Sequence, residues 1–344
     1  MATGLRAFNK LQISSVEATV GTATAAKEIL LGVMSAPGGD KVIYDPEHDR
    51  GTLSKFLANP TIVGRYIEGS VELDANTRHM AWLFCNAIRG GITPTQPAAT
   101  LQPNAYLWTV EPGLTIANTP DITNGIDTFT LEWGDNLQAY EAEFVFTRTL
   151  EISGGPNELC KVKWDWGGRQ ATQSNITTGL TASAVQYFPF NLAKMYIDVS
   201  VAAWGTTPKT DTLQAFTWTL ETQFTPRYTA DGSLFFTALN EASKNVDLEL
   251  TFTRNAVSEA ERVKYDALTK TWIRLELLGS TVLDAGQSNP PYILLDGCYQ
   301  YTEWPELSDE DGTNIETVKL HSVYDSTGSK EYSVKLYTDL AAYP

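Results

Sequence analysis

Strict alternation of apolar and polar residues, in one segment after another, limits this chain to sheet. In AFTWTLETQF one side carries Phe216, Trp218, Leu220 and Phe224, the other Thr217, Thr219, Glu221 and Gln223. YEAEFVFTRTLEIS sets Tyr140, Phe144, Phe146, Leu150 and Ile152 against Glu141, Glu143, Thr147, Thr149 and Glu151. CKVKWDW sets Val162, Trp164 and Trp166 against Lys161, Lys163 and Asp165, and DLELTFTR, EYSVKLY and DTFTLEW repeat the pattern. Successive side chains of a strand point to opposite faces. Period two with one polar face therefore predicts antiparallel sheet, wet or partnered on that face. Gly, Pro, Asn, Asp and Thr between these runs predict turns.

Helices are few, and each follows an alternating strand and a short polar turn. In RYIEGSVELDANTRHMAWLFCNAIRGG, residues 65–91, a helix is expected from Asn76 or Thr77, with Met80, Leu83, Phe84, Ala87 and Ile88 on one side, stopping at Gly90-Gly91. In NVDLELTFTRNAVSEAERVKYDALTKTWIRLELLG, residues 245–279, Ser258 followed by Glu261 reads as a capping box. That second helix would turn Ala260, Val263, Ala267 and Leu268 towards its sheet. The same unit occurring twice suggests two similar β domains, each with a flanking α-helix. A boundary near 180 falls in GGRQATQSNITTGLTASAVQ, which is rich in Gly, Ser and Thr, so the expected domains are 1–180 and 181–344.

Composition narrows the function. The chain has 344 residues, a net charge of −16 and a pI near 4.6. Gripping nucleic acid by phosphate neutralisation needs clustered Lys and Arg, and adsorption to anionic lipid needs the same. No apolar run approaches the length of a membrane span, and MATGLRAFNKLQISS lacks the apolar core of a secretory signal, so folding in a cytoplasm is expected. Cys85, Cys160 and Cys298 are far apart among apolar neighbours and read as buried free thiols.

Signals for chemistry are sparse. His48, His79 and His321 have no second His or Cys at metal spacing, and no nucleophile elbow or phosphate-binding loop is present. Asp309, Asp311 and Gly312 mimic part of a calcium loop, but Leu307 and Val318 stand at its first and twelfth positions. Carboxylates are plentiful without any localised pair for glycoside hydrolysis. Trp133, Trp164, Trp166, Trp218 and Trp272 alternate in phase with aliphatic residues, which predicts core; exposed, they would suit a carbohydrate-binding module. The reading is a protein that is not an enzyme, without catalytic residues, metal or cofactor.

Two other features invite a structural role. Glu68, Glu72 and Asp74 share one face of the first repeated strand, and Asp247 and Glu249 one face of the second. Residues 34–57, MSAPGGDKVIYDPEHDRGTLSKFL, form a long segment with Pro, Gly and both charge signs around Val42, Ile43 and Tyr44. Loops of that length inside a compact domain are uncommon unless functional.

The chain resembles the tail tube proteins of long-tailed bacteriophages, in their two-repeat form. LQISSVEATVGTATAAKEIL is similar to that family's opening, and GRYIEGSVELDANTRHMAWLFCNAI to its strand-then-helix core. DTFTLEWGDNLQAYEAEFVFTRTLEISGGPNELCKVKWDWGGRQ is similar to its most distinctive block. AFTWTLETQFTPRYTADGS through YSVKLY is similar to a second copy. The resemblance implies a β-sandwich with a flanking helix in each domain, inner strands that close with neighbouring subunits into one barrel, and rings that stack through a long loop. It implies a ring of three chains with pseudo-sixfold shape, in a virion tail assembled in the host cytoplasm. Its partners would be further copies, a tape measure protein, and tail terminator and tail tip proteins; DNA would pass without specific binding, and no membrane is involved. With four inner strands per domain, about 24 strands at ~4.8 Å give a backbone diameter of roughly 50 Å. On this reading Glu68, Glu72, Asp247 and Glu249 are expected to face the lumen. Val42, Ile43, Tyr44, Asp45, Asp49 and Arg50 are expected to join one ring to the next. The alternatives are another tail part, such as a tube terminator, or a β-sandwich carbohydrate-binding module.

Overall fold

The structure, a computed structural model, describes residues 6–35, 37–38, 41–44, 60–113, 125–284, 289–305, 307–310 and 312–343. The fold is mainly β. The first strands are β1 (Lys10–Ser14), β2 (Ala26–Ile29), β3 (Gly32–Met34), β4 (Lys41–Tyr44), β5 (Thr61–Arg65) and β6 (Ile67–Asp74), followed by α1 (Met80–Ala87). Next come β7 (Tyr106–Val110), β8 (Phe129–Gly134), β9 (Ala139–Gly154), β10 (Lys161–Gly168) and β11 (Thr172–Ser174). The second half holds β12 (Lys194–Asp198), β13 (Pro208–Lys209), β14 (Leu213–Glu221), β15 (Thr225–Arg227), β16 (Ala238–Asn240), β17 (Asn245–Thr253) and α2 (Ala256–Asp266). It ends with β18 (Thr271–Leu278), β19 (Tyr292–Glu303), β20 (Ser308–Glu310), β21 (Thr313–Ser322) and β22 (Tyr332–Thr338).

One antiparallel layer runs β3-β6-β10-β9-β14-β17-β21, with the end of β19 and then β20 pairing successive parts of β21. Two smaller sheets complete the sandwich: β2-β1-β8 with the start of β9 and β11, and β13-β12-β18 with the start of β19, β22 and β7. β9 and β19 thus each serve two sheets. The main apolar core fills the space between, from Leu11 and Ile13 through Trp164 and Trp218 to Leu336, and a smaller cluster holds Ile126, Phe144, Phe146, Phe224, Phe236 and Leu239.

The order of elements recurs. β6-α1-β8-β9-β10 in the first half corresponds to β17-α2-β18-β19-β21 in the second, and each helical turn starts on an asparagine. Asn76 Oδ1 accepts the N–H groups of Arg78 (3.1 Å) and His79 (2.9 Å). Asn255 Oδ1 accepts those of Val257 (2.8 Å) and Ser258 (3.2 Å). The halves also exchange pieces: β7 pairs β22, and the β15-β16 hairpin packs on the first half. The stretch 167–186 is tied down rather than slack. Thr177 donates to the Glu132 carboxylate twice, Ser183 Oγ donates to Glu28, and Gln186 bonds Thr77.

Local patterns were overridden in three places. The regular part of α1 starts at Met80, and all of it is buried rather than one side. α2 is capped by Asn255, with Ser258 as the third residue of the capping box. It turns Glu261, not Val263, inward: Glu261 is 2% exposed because it accepts from Tyr301 Oη at 2.9 Å and Lys264 Nζ at 2.7 Å, whereas Val263 and Leu268 are about two-thirds exposed. On β9, the expected polar residues Glu143 and Thr147 are buried, because register slips near Phe144 and Arg148 reset which side faces in. Thr147 Oγ1 donates to Asn86 Oδ1 (2.7 Å) and accepts from Trp164 Nε1 (2.8 Å).

Candidate functional site

The open face of the large layer is the most distinctive surface. Along β6 the core side carries Ile67, Val71 and Leu73, leaving Glu68, Ser70, Glu72 and Asp74 on the other side. The same parity across β10, β9, β14, β17 and β21 adds Glu151, Asp165, Glu221, Asp247 and Glu249, with Lys161, Lys163, Lys319 and His321. Carboxylates outnumber cations. All four residues expected at a lumen, Glu68, Glu72, Asp247 and Glu249, stand on this one face.

The face is not uniformly acidic, however. Glu68 pairs with Arg148, and Asp247 Oδ1 lies 2.7 Å from His321 Nδ1. Glu72 sits opposite Lys163, and Glu249 opposite Lys319, so like charges on neighbouring strands are interrupted. These pairs are exposed, so each contributes little to stability. Counting back from the two caps, Glu68 and Asp247 are equivalent, whereas Glu249 matches Ser70. A groove of about 610 Å³ crosses the face beside β3, lined by Val33, Glu72, Asp74 and Lys163.

A second surface lies at one end of the layer, where two hairpins project. The β15-β16 hairpin is anchored: Phe236 is fully buried against Phe144, Phe146 and Tyr66, and Arg169 lies over Phe144 at 4.9 Å while donating to Phe236 O and Gly21 O. Burial pushes the Tyr66 hydroxyl up to about 12 and the Arg169 guanidinium down. The β4-β5 hairpin is not covered in this way. Val42, Ile43 and Tyr44, three of the expected ring-joining residues, are exposed on β4, opposite Gly64, Ile62 and Thr61 of β5, whose Ile62 and Val63 are exposed as well. Asp45, Asp49 and Arg50, together with His48, lie outside the described residues, and Lys41–Tyr44 is strand rather than loop. The two hairpins touch: Arg65 N–H donates to Leu234 O at 2.8 Å, and Tyr228 Oη to Arg65 O at 3.1 Å. Tyr228 and Leu234 extend the apolar rim. Sequence reasoning missed Ile62, Val63, Tyr228 and Leu234; the apolar run TIVG at 61–64 was the available signal for the first pair.

Other expected residues are structural. No tryptophan is exposed: Trp164, Trp166, Trp218 and Trp272 are buried as their alternation requires, and Trp133 is half-buried and stacked on Tyr140. The three cysteines are buried free thiols; burial raises Cys85 and Cys160 to about 12 and Cys298 to about 11, so none is a nucleophile near neutrality. Among the described residues, no group of three or more His, Cys, Asp or Glu side chains could hold a metal ion. Asp309 and Gly312 belong to the β20-β21 hairpin, where Gly312 has φ +81°; Asp311 lies outside the described residues. No described helix is long and apolar enough to cross a membrane. Comparison of the sequence with protein-family models and with curated proteins finds no match.

Proposed function

We propose that this protein is a structural subunit that assembles with copies of itself into stacked rings, forming a hollow tube with the open sheet face inside. The observation that carries this reading is one long antiparallel layer with an acid-rich open face, a core on its other side, and end strands β3 and β19-β20 whose outer edges have no strand partner among the described residues. Such edges are a liability in a monomer, and closure into a barrel removes them. The large layer supplies four strands from each half, so three chains would give about 24 and a bore wide enough for duplex DNA, at ~4.8 Å per strand. A net acidic lumen repels phosphate and offers no counterion-releasing contacts, so DNA slides without sticking.

The role is that of a tail tube subunit of a long-tailed bacteriophage, as the resemblance of its sequence implies. The division into tandem tube domains at 180, a ring of three, assembly on a tape measure protein and capping by terminator and tip proteins belong to the same proposal. The exposed β4-β5 hairpin supports it further as the ring-to-ring contact, because an isolated two-stranded hairpin is marginal in water and gains from being covered. Negative-stain imaging of concentrated protein is the test. Rings or tubes with a central channel are expected; a protein that stays monomeric at high concentration under all assembly conditions refutes the reading.

A further inference from the structure

The chain contains, between its own halves, a template for its contact with a second copy; this inference rests on the self-assembly reading above. β14 lies between β17 and β9, with Phe216 opposite Gly154 and Thr217 opposite Ser153. That pairing joins the second half to the outer edge of the first. β3 holds in the first half the place of β14 in the second. Val33 is opposite Glu72 and Ala215 opposite Thr251, and Glu72 and Thr251 stand at the same distance before Asn76 and Asn255. β20 holds the place of the end of β9. Ser153 is opposite Lys161, which is opposite Asp74; Ser308 is opposite Ile315, which is opposite Thr253. Asp74 and Thr253 again stand at equal distances before the caps.

The two places differ in one respect. The β9 edge has its partner in β14, whereas the outer edges of β3 and β20 have none among the described residues. We propose that β3 of one copy adds antiparallel to β20 of a second copy, in the register that β14 takes on β9, so that Ser35 lies opposite the second copy's Ser308. Backbone bonds beyond β3 already hold this segment extended along β6: Ser35 N–H to Ser70 O at 2.9 Å and Gly38 N–H to Glu68 O at 3.0 Å. Strand addition would cover Val33, 62% exposed, and Leu307, 43% exposed. Pro37 and Pro305 flank the two edges and withhold donors from other registers.

Disulfide trapping in the full chain tests the register. Directly opposed residues of an antiparallel pair have Cα atoms ~4.5–5.5 Å apart, inside the ~4.4–6.8 Å that a disulfide spans. The native thiols are buried, so background is low. The Ser35→Cys/Ser308→Cys variant, oxidised under assembly conditions, is expected to give a ladder of linked chains ending at three. Ser35→Cys/Thr302→Cys, remote along the same edge, is expected to stay unlinked. On unsubstituted protein, hydrogen exchange should show residues 32–35 and 307–310 gaining protection on assembly. Tubes that form without the 35–308 link and without that protection overturn the register and leave the self-assembly reading standing. Absence of linking, protection and tubes together overturns both.

Discussion

The carboxylate of Glu17 accepts the backbone N–H of Phe144 at 2.9 Å, at the point where β9 passes through a φ of +54°. A left-handed conformation in a bulky residue costs about 1–3 kcal/mol and persists only where its surroundings hold it. Glu17, 4% exposed, does the holding. It also accepts from Gly21 N–H (2.8 Å), Thr128 Oγ1 (3.0 Å) and Thr130 Oγ1 (3.0 Å). The kink at Phe144 is where β9 leaves the smaller sheet and enters the large one, so this carboxylate fixes how the two layers join.

Glu17→Ala is therefore expected to lower stability by about 3 kcal/mol, since it leaves buried donors unmet. Thermal unfolding should show a midpoint several degrees lower, with Glu17→Gln in between. A midpoint within a degree of the parent protein would show that Glu17 does not support the kink.

His79 supplies a pH signature. Burial pushes its pKa down to about 4 from 6.5, and Arg78 adds to this against the opposing Glu28 carboxylate. Between pH 6.5 and 4 the unfolded chain binds more protons there than the folded one. The contribution is complete above that window and is lost as pH falls through it. Denaturant titrations of the parent protein and His79→Gln at stepped pH should diverge. The parent's advantage should shrink by about 3 kcal/mol between pH 7 and 4. The buried carboxyls of Asp127 and Asp296, which burial pushes up, act in the opposite sense and cancel in the difference. A pH-independent difference would rule out a buried neutral imidazole.

The β4-β5 hairpin separates folding from assembly. Ile43 and Tyr44 are 59% and 60% exposed. Ile43→Asp with Tyr44→Asp should change stability by no more than about 0.5 kcal/mol, as for surface positions in general. Tubes should fail to form, as judged by sedimentation and imaging. Normal tubes from this variant would remove the hairpin from the ring-to-ring contact.

Charge reversal probes the open face. Glu72→Lys with Glu249→Lys turns two carboxylates into cations beside Lys163 and Lys319. Tubes should still form, but they should now retain DNA at low salt and release it as salt rises, in electrophoretic mobility assays. Unchanged indifference to DNA would place these residues away from the channel.

Periodicity made the layers legible because it reports burial directly: Phe216, Trp218 and Leu220 on β14 face the core as their alternation requires. It failed where a side chain's partner, rather than its polarity, set its place. Glu261 faces inward because Tyr301 and Lys264 meet it, and Val263 is displaced outward as a result. The exchange of β7 onto β22 was invisible because nothing local to YLWTV records a strand more than two hundred residues later. For the open face, residue type and parity sufficed to find Glu68, Glu72, Asp247 and Glu249. Their pairing with Arg148 and His321 depends on register, which one strand read alone does not contain.

Tyr343 packs among Trp82, Trp108 and Phe129, and its hydroxyl reaches Ala81 O, 262 residues earlier in the chain. At ~5–20 residues per second a ribosome needs roughly 13–50 s to cover that distance. Throughout that interval the surroundings of α1 lack one wall, and two indoles wait for it. The aromatic cluster of the first half is thus completed only once the second half has been synthesised.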